Sequence, residues 1–320
     1  MKMHRPSLAC VIAGSLLAMV GCAGVPAAAP AVPAAPAAGV FFDDFSQPSV
    51  AAMAAGGWTV RDKRGHPGIE GAGWGAGALS LVDDPTQPGN RLLRLTARTD
   101  GTAAGTTQAQ LCHARKYLEG TYAARIRFSD APVQGPDGDV LVQTFYTVSP
   151  LRFPYDPQYS ELDWEYLPNG GWGDARTRLY GVSWQTVRLD PWDAYNQPLQ
   201  HHAALGPAGG GWHVLMMQVA GGKSRFFLDG RQLDEHGGRN YPVVPMAIAF
   251  SQWFVPAGQL AGVAAPRAYE EDVDWVYHAR NRVMTPAEVT QAVQALRRAG
   301  QTAVDSVPAA EPPLASTCDF

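Results

Sequence analysis

Tyr159 to Leu167 reads YSELDWEYL, and its alternation decides the fold. Leu162, Trp164 and Tyr166 interleave with Glu161, Asp163 and Glu165, the period of two that marks a strand with one apolar and one polar face. Three carboxylates on one face repel each other, and a plain solvent-facing strand would relieve that with Thr, Lys or mixed charge. The pattern calls for a chemical reason. Cleaving a glycosidic bond with retention needs one carboxylate to attack the anomeric carbon and one carboxylic acid to protonate the departing oxygen, roughly 5 to 5.5 Å apart. Positions i and i+4 of a strand lie about 13 Å apart along the backbone, a gap that two Glu side chains leaning inward on a curved strand narrow, with the shorter Asp163 between them. Each negative neighbour raises the pKa of the next carboxyl, so one stays protonated while its partner is ionised. The titration belongs to the trio. Two plainer readings compete: a solvated strand, and a calcium cluster, which would want about six to eight oxygens from wrapping loops.

Around this stretch, short apolar or alternating runs recur between Gly, Pro and Asp. They are 41–45, 57–60, 78–82, 91–97, 121–128, 139–148, 177–184, 212–220, 225–230, 246–254 and 272–279. Many short strands at even spacing, with no alternation of strand and helix, predict an all-β fold: an antiparallel sandwich of jelly-roll type. The 34 glycines and 26 prolines suit its turns, and 46% hydrophobic residues suffice for its core. A net charge of −4 with 17% charged residues gives no footprint for nucleic acid.

The strand Glu161–Leu162–Asp163–Trp164–Glu165 resembles the ExDxE signature of glycoside hydrolase family 16, the laminarinase, lichenase, agarase and carrageenase group. The resemblance extends in order over residues 41 to about 280. GTYAARIRF (120–128) is similar to the strand leading into the cleft sheet, and Trp212, His213 and RFFLDGRQL to a WH...YVDG hairpin turning at Asp229 and Gly230. MAIAFSQWF resembles the late strand that ends beside the cleft, and DVDWVYHA the closing strand. It implies a concanavalin A-like fold with Glu161 as nucleophile, Glu165 as general acid and base, and Asp163 assisting. Asp274 matches a position where some members hold calcium, but one ligand commits to no cofactor. The unbulged ExDxE form leans toward β-glucans.

A glycan cleft also needs aromatic platforms for the apolar faces of sugars. Trp184 and Tyr180 share one face of the following strand, and Trp253 falls at the cleft-side aromatic of the resemblance. Tyr146 and Trp172, the latter in the Gly-rich loop 168–173, are further candidates; for each the competing reading is a core aromatic. His113, His201, His202 and His213 lack the spacing of a zinc site, and His213 is expected to fix a hairpin. No GxSxG surrounds any Ser. Residues 148–158 and 188–200 are the segments expected to set specificity.

The ends carry other signals. Lys2, His4 and Arg5 lead an apolar run from Leu8 to Val20, an export signal within 1–24, and Met19–Cys22 resembles a lipobox with Cys22 as the lipidated residue. Simple cleavage nearby is the alternative. Residues 25–40 read as an Ala/Pro spacer, 41–281 as the catalytic domain, and 282–320 as a helix and a loose tail. In the helix, Thr285 and Glu288 form a capping box and Val289, Ala292, Val293 and Leu296 an apolar stripe, stopped by Gly300. Cys112 and Cys318 are left either to bridge or to stay free. Taken together, these features describe an extracytoplasmic monomer, an outer-membrane or cell-envelope lipoprotein or else a secreted protein. Its expected activity is that of a retaining endo-glycosidase hydrolysing a β-linked polysaccharide, with a transglycosylase or a lectin-like binding protein as alternatives.

Overall fold

The computed structural model describes residues 38–203 and 211–318, with side chains described to residue 196 before the gap. The export signal, Cys22 and most of the spacer lie outside the described residues. In chain order the strands begin with β1 (Val40–Asp43), β2 (Trp58–Val60), β3 (Gly73–Trp74), β4 (Leu79–Asp83) and β5 (Arg91–Thr99). Next come β6 (Thr107–His113), β7 (Gly120–Arg127), β8 (Leu141–Val148), β9 (Glu161–Leu167) and β10 (Arg178–Arg188). Then follow β11 (Asp193–Ala203), β12 (His213–Ala220), β13 (Lys223–Leu228), β14 (Arg231–Gly237), β15 (Ala247–Phe254), β16 (Arg267–Arg280) and β17 (Ala303–Asp305). The one α-helix among the described residues is α1 (Pro286–Arg298).

Two antiparallel sheets face each other. The first runs β2–β6–β15–β8–β9–β10–β11, with the acidic strand β9 between β8 and β10. The second runs β4–β5–β16–β7–β12–β13–β14, and β1 joins β16 beyond the end of β5. This is the expected jelly-roll sandwich. Strand alternation fills its middle: Leu162, Trp164 and Tyr166 of β9 are fully buried with Phe250, Leu95, Ile126 and Val273. The opposite face of β9 is thereby left to the three acids.

Each run identified in the sequence carries a strand. The additional strands β3, β6, β11, β14 and β17 are short, polar or proline-bearing. β11 takes Pro198 because it lies at a sheet edge, where one side of the ladder needs no donor. His213 Nδ1 and Asp229 Oδ2 meet at 2.7 Å, and Asp229 also accepts from the Val214 amide, so this pair does fix the hairpin. Helix α1 has its capping box, and Val289 and Val293 pack with Trp275 and Tyr277 on the outer face of the second sheet.

The tail is not loose. β17 pairs with β1, Val307 is buried in the main core, and Cys318 is disulfide-bonded to Cys112. Its prolines gave no hint of these partners, all of which are distant in sequence. Because the bridge closes a separation of 206 residues, Cys318→Ser is expected to cost about 2–4 kcal/mol. Urea melts of the variant and of the reduced wild type should show the same loss; unchanged midpoints would contradict it.

Candidate active site

Strand β9 presents Glu161, Asp163 and Glu165 to a cavity of about 820 Å³ on the concave face of the first sheet. All three carboxyls line it, together with Tyr146, Trp172, Tyr180, Trp184 and Trp253. Every sequence-derived site residue within the described region is therefore brought to one groove. Neighbouring strands supply the platforms by register: Trp184 stands opposite Glu161 and Tyr180 opposite Glu165 on β10, and Tyr146 opposite Asp163 on β8.

Each acid has its own partner. The Tyr159 hydroxyl donates to Glu161 Oε2, the Trp184 indole donates to Asp163 Oδ2 at 2.6 Å, and the Trp172 indole donates to Glu165 Oε2 at 2.9 Å. Asp163 also shares a hydrogen bond with Glu161. Trp184 and Trp172 are thus more than stacking surfaces, since their N–H groups set the orientation of an acid. Tyr146 forms part of the floor, buried, its hydroxyl accepting from Gln110 Nε2 at 2.7 Å. Trp253 is also largely buried and packs against the exposed Trp172, with ring centroids 6.1 Å apart and planes tilted by 43°.

Burial pushes all three carboxyls up, Glu165 to about 7 and Glu161 to about 8. Asp163 rises well above its usual range, first by burial and then by the charges of Glu161 and Glu165. Because the three share protons, these values belong to the set. Glu161 receives donors from Tyr159 and Asp163, while Glu165 receives only Trp172. Glu161 thus has two donors placed to hold its anion and Glu165 has one, while the lower value, about 7, belongs to Glu165.

Raised folded-state values mean that the folded chain binds more protons than the unfolded chain between the ordinary carboxylate range and about pH 8. The trio therefore lowers stability as pH rises through that window. Asp163→Asn keeps an acceptor for Trp184 and a donor for Glu161 while removing one charge. Its thermal midpoint should exceed the wild type's by about a few degrees at pH 8 and converge with it near pH 4. A difference independent of pH would contradict this reading.

Several cavity residues went unrecognised in the sequence. Tyr159 is the donor to Glu161, and Trp192, Asn196, Arg176 and His66 add to the walls. Trp192 and Asn196 fall in the segment flagged for specificity; nothing in the sequence marks His66. Asp274, the candidate calcium ligand, is held by Arg125 at 2.7 Å, Arg297 at 2.8 Å and Asn90 at 2.9 Å. Two guanidinium groups already supply the positive charge there.

No family model matches the sequence, and no curated protein matches it. Solved structures do. The β-glucanase of Bacillus licheniformis superposes with a TM-score of 0.52 at 16% identity, over 76% of this chain and 99% of that one. A Bacteroides ovatus mixed-linkage glucan GH16 protein in complex with its G4G4G3G product gives 0.54 at 15%, over 74% and 98%. LamA from Z. galactanivorans, in complex with laminaritriose and laminaritetraose, gives 0.51 at 14%, over 76% and 100%. The fold is that of glycoside hydrolase family 16. In a chain with this family 16 fold, the acidic strand is a central strand of the concave sheet, and the roles of its side chains rest on the contacts just described.

Proposed function

We propose that the chain is a retaining glycosidase acting on a β-linked glucan in the Glu161–Asp163–Glu165 groove. The observation that supports it best is that three carboxyls on one strand open into an aromatic-walled cavity, each held by a separate donor. Glu161 attacks the anomeric carbon while Glu165 gives its proton to the departing oxygen, so that the C–O bond breaks as the Glu161 ester forms. Glu165, now ionised, takes a proton from water, whose oxygen displaces Glu161 from the same carbon. Asp163 holds Glu161 and shares its proton as the charge moves. A sugar hydroxyl in place of water would make the product a longer glycan.

The glucan oligosaccharides held by two of the neighbouring structures favour β-glucan as substrate. The test is sugar release from a panel of β-glucans and galactans, with the first-formed anomer read by NMR. Release of the β-anomer from a glucan is expected. Release of the α-anomer, or no release from any glycan, would overturn the reading.

The same reading places the enzyme outside the cytoplasm, anchored by lipid on Cys22. The disulfide supports an oxidising compartment. Expression of Cys22→Ala in a bacterial host should move the protein from the membrane to the soluble fraction; an unchanged distribution would contradict the anchor.

A further inference from the structure

The walls of the groove touch above it. His66 belongs to the loop after β2, at one edge of the concave sheet, and Trp192 to the β10–β11 hairpin, toward the other. Five strand steps separate β2 from β10 (β2–β6–β15–β8–β9–β10), roughly 24 Å at about 4.8 Å each. Yet the two rings stack with centroids 5.4 Å apart and planes at 27°. Both line the catalytic cavity. A contact between segments rooted so far apart crosses the sheet as an arch, with the acids beneath it.

The arch is anchored on both sides. Arg61, 2% exposed, donates to the carbonyls of Lys63 (2.8 Å), Gly65 (3.0 Å) and His66 (2.9 Å), and its guanidinium lies 4.0 Å from the Trp74 ring centroid. It also donates to Gln110 Oε1 at 2.9 Å, and Gln110 Nε2 holds the Tyr146 hydroxyl and the Cys318 carbonyl. The disulfide-tied tail thus backs the wall that carries His66. On the far side, Arg188 Nε donates to the Pro191 carbonyl at 3.0 Å. Trp192 stands edge-on to Trp184, the indole that holds Asp163, at 5.8 Å. A buried arginine that gives three hydrogen bonds to the carbonyls of one loop is a built support for the arch.

We infer that His66 and Trp192 make the site selective for short glucans and chain ends. An internal stretch of a long polymer has to leave the groove at both ends, and the arch with the loop 61–68 behind it obstructs one of them. A chain terminus enters from the side away from the arch and stops against this wall. This differs from the internal cleavage expected of an endo-glycosidase, and it rests on the glucan reading of the site.

The test separates binding from catalysis. In a Glu161→Gln background, a mixed-linkage glucan hexasaccharide and a high-molecular-weight mixed-linkage glucan are titrated by tryptophan fluorescence. Affinities are compared per hexasaccharide and per internal six-sugar unit. The polymer should bind at least about tenfold more weakly. Adding His66→Ala, or separately Trp192→Ala, should bring the two affinities within about twofold of each other; the ratio cancels any stacking lost equally by both ligands. Equal affinities before the arch is cut, or a ratio unmoved by either substitution, would overturn the arch alone. Binding of neither glucan by any form would overturn the glucan reading and the arch with it.

Discussion

Glu161→Gln should reduce sugar release by at least about 10³-fold while leaving oligosaccharide binding within about twofold of wild type, because the amide keeps the shape and loses the nucleophile. Tyr159 and Asp163 both stabilise Glu161 as an anion, and in the proposed mechanism Glu161 is the carboxylate that attacks. Glu165→Gln is expected to behave differently. Loss of general acid and base catalysis costs about 10²–10⁴-fold on natural glucans, but an aryl glycoside whose leaving group needs no proton should still form the glycosyl-enzyme quickly. Azide should then restore turnover to Glu165→Ala, where a small anion can fill the space of the missing base, and leave Glu161→Gln inactive. Equal losses in both variants on both substrate types, with no rescue, would show that the two acids do not divide the work in this way.

The largest expected stability effect lies away from the groove's lining. Arg267 and Asp139 are both fully buried and form a two-pronged pair, Nε to Oδ2 at 2.7 Å and Nη2 to Oδ1 at 3.0 Å. Asp139 also accepts from the Leu260 amide at 2.9 Å and the Tyr269 hydroxyl at 3.1 Å, while Arg267 donates to the carbonyls of Val263 and Ala265. The pair knots the segment entering β8 to the one entering β16. Arg267→Met removes the cation and strands a buried carboxylate, which should cost about 3–5 kcal/mol and lower the thermal midpoint by about 10 °C. The urea midpoint should fall with an unchanged slope. Asp139→Leu combined with Arg267→Met should recover part of the loss, since an apolar pair leaves no uncompensated charge. A single variant as stable as wild type would mean that water reaches Asp139.

What was legible in the sequence follows from the range of the interactions involved. Glu161, Asp163 and Glu165 could be placed on one face because a strand's period of two is local, and the burial of Leu162, Trp164 and Tyr166 is its counterpart. The sandwich was legible for the same reason, run by run. Trp184, Tyr180 and Tyr146 could be assigned to the groove because neighbouring strands hold them in register with the acids. The indole hydrogen bonds of Trp184 and Trp172 could not, because they depend on loop paths and rotamers. His66 was invisible: its place over the groove comes from Arg61 gathering the carbonyls of an irregular loop. The tail misled for a related reason, since its strand partner and its disulfide partner lie far back along the chain.

The proposal that a carboxylate of β9 forms a covalent bond to the sugar can be tested by trapping it. A 2-fluoro β-glucan oligosaccharide with a good leaving group slows hydrolysis of the intermediate more than its formation. Mass spectrometry of the digested protein should then find one added glycosyl unit, on the peptide bearing Glu161 and on that residue. A label on any other side chain, or none despite measurable release of the leaving group, would contradict the double displacement.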